Sequence, residues 1–147
     1  VLTGRAKDTI VLTNGENIEP QPIENACLRS PYIDQIMLLG QDQKSLSALI
    51  VPNFEALEAW LLNQNSSILN SDINANLNNQ IIRELFREEL NREVRSRPGY
   101  RRDDEIIMFK LIREPFTKEN GLLTQTLKVR RNVVMERYQD AIANLFV

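Results

Sequence analysis

The chain has no histidine among its 147 residues and only one cysteine, Cys27. Without histidine, the serine–histidine and cysteine–histidine nucleophile systems, the usual zinc sites and the commonest general base are excluded. A single cysteine rules out an intrachain disulfide and points to a reducing compartment. Cys27 falls with Ile23 and Leu28 in an apolar helical pattern and reads as a buried structural thiol. No hydrophobic run is long enough to span a membrane, and the N-terminus lacks the charged and apolar regions of a signal peptide. Neither sign of charge dominates. A formal net charge of −2, with aromatics at 6%, gives no global pull toward nucleic acid, so any ionic partner must be met by a local patch.

What remains is ordinary soluble composition, 42% hydrophobic and 26% charged, long enough for one domain with a real core. The chain starts at Val1 without an initiator methionine and is read as a piece of a longer protein. Thr9–Thr13 is β-branched and runs into Asn14-Gly15, a hairpin signal in which both turn residues must tolerate positive φ. Pro20 and Pro22 suit a helix entrance, with the helix continuing to Arg29 and stopping at Ser30-Pro31. Residues 33–39 and 46–51 are strand candidates around a turn at 40–44. Asn53 is a plausible cap for a helix over 54–62.

The stretch 63–79, rich in Asn and Ser, reads as an irregular loop. The long amphipathic helix that follows has Ile81, Leu85, Leu90 and Val94 on one face, and Arg83, Glu84, Arg87 and Glu88 on the solvated one. After Pro98-Gly99, residues 105–112 read as a third core strand, alternating Ile106, Met108, Lys110 and Ile112 against Ile107, Phe109 and Leu111. A last helix is expected over 132–146. The fold class expected is α+β: a small mixed sheet of about three core strands and an N-terminal hairpin, flanked by helices.

Four groups of residues could carry chemistry. Arg5 and Lys7, at the start of the first strand, are ordinary linker charges unless the arginine forks onto hydroxyls or phosphates. Gly15, followed by Glu16, offers a turn whose bare backbone another molecule could approach. Lys128 follows a loop of small hydroxyl residues. Alone it is a surface lysine, but as a compact cation on a flexible stem it suits charge developing on phosphoryl and carboxylate oxygens. Arg95, Arg97, Arg101 and Arg102 flank the Pro98-Gly99 break as a positive patch suited to a phosphate or an acidic protein.

Three of these groups sit in recognisable patterns. Gly4-Arg5-Ala6-Lys7-Asp8-Thr9-Ile10, followed by Gly15-Glu16-Asn17-Ile18-Glu19-Pro20, resembles the hinge motif of the adenylate-forming (AMP-forming) synthetases, the family of acyl-CoA synthetases, luciferases and adenylation domains. Leu123-Thr124-Gln125-Thr126-Leu127-Lys128-Val129-Arg130-Arg131 resembles their terminal catalytic-lysine motif. Leu127, and the lead-in Glu119-Asn120-Gly121-Leu122, match the long-chain fatty acyl branch; Gln125 departs from its usual proline.

The resemblance implies that residues 1–147 are the small C-terminal lid domain, with residues 63–99 as a helical insertion and a large N-terminal domain lying elsewhere. It implies a long-chain fatty acid ligase that forms an acyl-adenylate from ATP with Mg2+ and then a thioester with coenzyme A or the phosphopantetheine of acyl carrier protein. Lys128 would serve adenylation, Arg5 the nucleotide ribose, Lys7 the hinge, and the Gly15-Glu16 turn the thioester step. Arg95, Arg97, Arg101 and Arg102 would dock the acceptor. No metal ligand is expected in this domain, no activity from it alone, and a cytoplasmic location, with membrane association of the full enzyme left open. The alternative is a non-catalytic α+β interaction module.

Overall fold

The computed structural model describes residues 9–63, 80–126 and 128–145. Arg5, Lys7, Leu127 and nearly all of the Asn-rich stretch read as a loop therefore lie outside the described residues.

The N-terminal hairpin is minimal. Strands β1 (Ile10–Val11) and β2 (Asn17–Ile18) pair antiparallel, Ile10 opposite Ile18 and Val11 opposite Asn17. The turn differs from the two-residue form expected. Only Gly15 takes positive φ, at 87°, and the Leu12 amide donates to the Glu16 carbonyl at 3.0 Å. This is a three-residue loop with its left-handed step at glycine. Such a step matches the strand twist without asking Asn14 for positive φ. The Asn14 side chain instead accepts from the Glu16 amide at 3.0 Å.

Helix α1 (Pro20–Cys27) starts with proline at its first turn and ends two residues short of Arg29. A three-stranded sheet follows: β3 (Ile33–Leu39), β4 (Leu46–Pro52) and, late in the chain, β5 (Ile106–Leu111). Its order is β3-β4-β5, antiparallel then parallel, so the mixed sheet and the α+β class both hold. The β3–β4 turn begins at Gly40, where a Cβ would stand 3.0 Å from Leu46 Cδ2 and crowd it. The hairpin docks there: the Thr13 amide donates to the Gln43 carbonyl at 3.0 Å, and Asp42 to that of Val11 at 2.9 Å.

Helix α2 (Phe54–Asn63) is capped as expected, the Asn53 side chain accepting from the Ala56 amide at 3.2 Å. Helix α3 (Gln80–Arg95) buries Ile82, Leu85, Phe86, Leu90 and Val94. Its arginine face is not simply solvated: the Arg83 and Arg87 guanidinium groups sit 4.8 and 5.4 Å from the Phe109 ring centroid. After a 3-10 turn (Arg102–Asp104) comes β5, whose strict alternation fails. Leu46 pairs with Ile106 but Ser47 with Met108, so a bulge leaves both Ile107 and Met108 exposed while Phe109 and Leu111 turn inward. The single last helix expected is two, α4 (Arg131–Arg137) and α5 (Gln139–Leu145), separated at Tyr138.

The sheet is buried on both faces. On one, Ile36, Leu38, Ala48, Ile50 and Phe109 pack with the hairpin, α1 and α3. On the other, Met37, Leu39, Leu49 and Val51 pack with Phe116, Leu122 and Val134. Period-two alternation along β3 and β4 thus feeds two separate apolar layers. Cys27 is fully buried, and burial, with Glu24 and Glu93 nearby, pushes its thiol up to about 12. It is an inert packing group at neutral pH.

Candidate functional site

The lysine loop hangs from the second apolar layer. Phe116 enters that layer while its backbone is gripped by the Gln35 side chain, which accepts from the Phe116 amide at 2.6 Å and donates to its carbonyl at 2.9 Å. Asn120 closes the next turn, accepting from the Thr117 and Leu122 amides at 3.0 and 3.1 Å. Leu122 is then fully buried, and Leu123 forms an antiparallel bridge with Val129.

Within that bridge Thr124 binds Lys128 twice. Its amide donates to the Lys128 carbonyl at 2.8 Å, and its hydroxyl accepts from the Lys128 amide at 3.1 Å. Lys128 therefore projects, exposed, from the base of a closed loop, with its backbone fixed and only its side chain free to reach. Beside it lies an open cleft of about 600 Å³ lined by Lys118, Leu123, Thr124, Gln125 and Arg130. Lys118 and Arg130 add cations that the sequence reading passed over; for Arg130, its adjacency to the lysine motif was the available signal.

Beyond the loop, Arg131 donates to Glu24 at 2.6 Å, and the other Glu24 oxygen accepts from the Leu38 amide at 2.8 Å. A buried carboxylate thus ties the end of the lysine motif to α1 and β3. At the junction of α4 and α5, Glu114 accepts from Arg137 at 2.7 Å and from the Tyr138 hydroxyl at 3.0 Å. Burial would raise the Glu114 carboxyl, but the bonds from Tyr138 and Arg137 outweigh it and hold it below its ordinary value.

The Gly15-Glu16 turn lies with the other apolar layer and is joined to the arginine segment rather than to Lys128. Arg101 donates to Glu16 at 2.8 Å and to the Asn17 carbonyl at 3.2 Å. Arg95 pairs with Glu105 at 2.7 Å and Arg97 with Asp104 at 3.2 Å, while Arg102 is exposed. The bond from Arg95 holds the Glu105 carboxyl below its usual range. The four arginines do converge on one region, but three of them are engaged by acids. Among the described residues, no group of three His, Cys, Asp or Glu side chains could hold a metal ion. No helix among the described residues is long and apolar enough to cross a membrane.

Comparison with known proteins bears on the fold and the family. The pattern of the AMP-binding enzyme C-terminal domain matches residues 7–147. The chain is 43% identical over 146 residues to the probable acyl-activating enzyme 16, chloroplastic, of Arabidopsis thaliana, covering 99% of this chain and 19% of that protein. It is 39% identical to the long-chain-fatty-acid–[acyl-carrier-protein] ligase AEE15, chloroplastic, of the same plant, covering 99% and 18%. Among solved structures it resembles the adenylation and carrier didomain of carboxylic acid reductase from Segniliparus rugosus in complex with AMP, with a TM-score of 0.78 and 25% identity, covering 97% and 18%. The chain spans about a fifth of the length of these relatives. By its matched pattern, its fold and a similarity to these proteins that runs along nearly all of its own length, this chain belongs to the family of AMP-binding enzyme C-terminal domains.

Proposed function

We propose that this chain is the C-terminal lid of an ATP-dependent long-chain fatty acid ligase, with residues 63–99 as a helical insertion within it. In the first half-reaction a fatty carboxylate oxygen attacks the α-phosphorus and pyrophosphate leaves. In the second, a thiolate of coenzyme A or of a carrier's phosphopantetheine attacks the acyl carbon and AMP leaves. Both phosphorus and acyl centres would be held mainly by an N-terminal domain, so this chain alone is inactive on this reading. Lys128 binds the oxygens on which charge grows in the first step. Arg5 contacts the nucleotide and Lys7 lies at the hinge. The Gly15-Glu16 turn lines the thiol's approach in the second.

The observation that carries the reading is the assignment of the two motifs to opposite apolar layers of one sheet: the hairpin packs with one, and the Lys128 loop hangs from the other. A rigid lid so built can present one motif while withdrawing the other, which is what a two-step reaction at one site requires. Docking of an acidic carrier falls to the exposed Arg102 and to the part of Arg95 that Glu105 leaves uncovered, with Arg97 and Arg101 committed to Asp104 and Glu16. The location proposed is cytoplasmic; fractionation that placed the protein in a plastid, as the names of the two plant relatives would have it, would displace that.

Lys128→Ala in the full-length protein tests the assignment. Pyrophosphate release with a long-chain fatty acid should fall on the order of a hundredfold or more, while thioester formation from preformed acyl-adenylate changes far less. Adenylation at the normal rate would leave the lysine loop as surface and the non-catalytic interaction module as the better reading.

A further inference from the structure

We propose that Arg101 is a positioning residue for the thioester step, latching the Gly15 turn in the place from which it meets the incoming thiol. The inference rests on the reading of that turn given under Proposed function.

The hairpin cannot hold its own position. Its strands are two residues long and pair at two positions only, too few to be stable without outside contacts. Ile10, Leu12 and Ile18 seat it in the apolar layer, and two polar contacts fix its turn further: one with the β3–β4 turn, one with the segment after α3. Arg101, 85 residues from Glu16 in sequence, forks across the turn's exit, one nitrogen on the Glu16 carboxylate at 2.8 Å and the other on the Asn17 carbonyl at 3.2 Å. Asn14, on the turn's other limb, donates to Asp103 at 3.3 Å. Both limbs are therefore held by one short segment.

That segment is itself anchored. Asp104 is 4% exposed and accepts from the Arg101 amide at 3.1 Å and from Arg97 at 3.2 Å. It also stands 3.4 Å from the Arg101 guanidinium, steering it toward the turn. At Gly15, by contrast, a Cβ would meet nothing within 4 Å. The turn is fixed at its limbs and open at its tip, an arrangement that aims a bare backbone at something outside the domain. The Arg101 and Glu16 side chains are 47% and 42% exposed. A pair that exposed adds little to folding stability, so its consequence is where the turn points rather than whether the domain folds.

The experiment uses the full-length protein and the variants Arg101→Gln, Arg101→Lys, Glu16→Gln, the Arg101→Gln/Glu16→Gln pair and Gly15→Val. Thioester formation from preformed acyl-adenylate is measured with coenzyme A, alongside pyrophosphate release and hydrogen exchange of the 12–18 segment. Arg101→Gln should slow the thioester rate constant on the order of fivefold, speed exchange in the turn and leave pyrophosphate release unchanged. Lysine, which cannot fork, should not restore the rate, and the double variant should be no worse than Arg101→Gln. Full activity in Arg101→Lys, strictly additive losses, or unchanged exchange would overturn the latch and leave a plain docking charge. A Gly15→Val protein that forms thioester normally would instead overturn the role of the turn itself, and the latch with it.

Discussion

At the residue scale, the molecule carries one visible flaw. Ser47, fully buried in β4 at the bulge, has a hydroxyl with no hydrogen-bond partner among the described residues. Its strand neighbours Leu39 and Met108 offer it nothing polar at the side chain. A buried group left unpaired costs about 1–3 kcal/mol, and alanine removes the group without opening a large void. Ser47→Ala should therefore stabilise the domain by about 1 kcal/mol, read as a higher denaturation midpoint with an unchanged slope. A loss of stability would mean that the hydroxyl is satisfied in solution. Single residues were also where the sequence was hardest to read. That Asn14 keeps negative φ, or that Gln35 pairs with the Phe116 backbone from 81 positions away, follows from tertiary contacts that no local pattern carries.

Elements were more legible, and their failures have physical causes. Strands β3 and β4 are mostly apolar runs bounded by a turn, and the Asn53 cap and the proline entry to α1 are local signals, so their places could be read directly. Strand β5 alternates in sequence but not in space, because the bulge beside Ser47 inserts one residue and turns Ile107 and Met108 out together. The helical tail broke in two because Glu114 holds Arg137 and Tyr138 at the junction of α4 and α5, a contact from outside the helix. That junction makes a pH prediction. The folded Glu114 carboxyl lies below its ordinary unfolded value, so its contribution is present above that value and is lost as pH falls through the folded one. Glu114→Gln should lower stability at neutral pH by less than about 1 kcal/mol, since the pair is largely exposed, and should flatten the acid side of the stability profile. An unchanged acid limb in a pH series of thermal melts would remove Glu114 from the account.

For the whole molecule, the lysine motif and the Asn14-Gly15 turn were legible because each is a contiguous run; that the lysine loop and the hairpin belong to opposite layers of one sheet was not, because sequence order says nothing of which face a loop joins. The arginine patch shows the same limit. Its four cations are clustered in sequence, but folding brings Glu16, Asp104 and Glu105 among them. An incoming acidic carrier would meet each arginine through what its partner leaves uncovered. Arg102 is exposed; Arg95, its side chain 59% exposed, is shared with Glu105; Arg97 is 19% exposed and tied to Asp104. Charges at the rim of an interface act on encounter and are screened over roughly 8–10 Å in ordinary salt. Thioester transfer to acyl carrier protein by the full-length enzyme should then show a KM that rises most, about twofold, for Arg102→Gln, less for Arg95→Gln and not at all for Arg97→Gln. The differences should fade as salt is raised. An Arg97 effect as large as that of Arg102, or effects indifferent to salt, would place the carrier on another face of the domain.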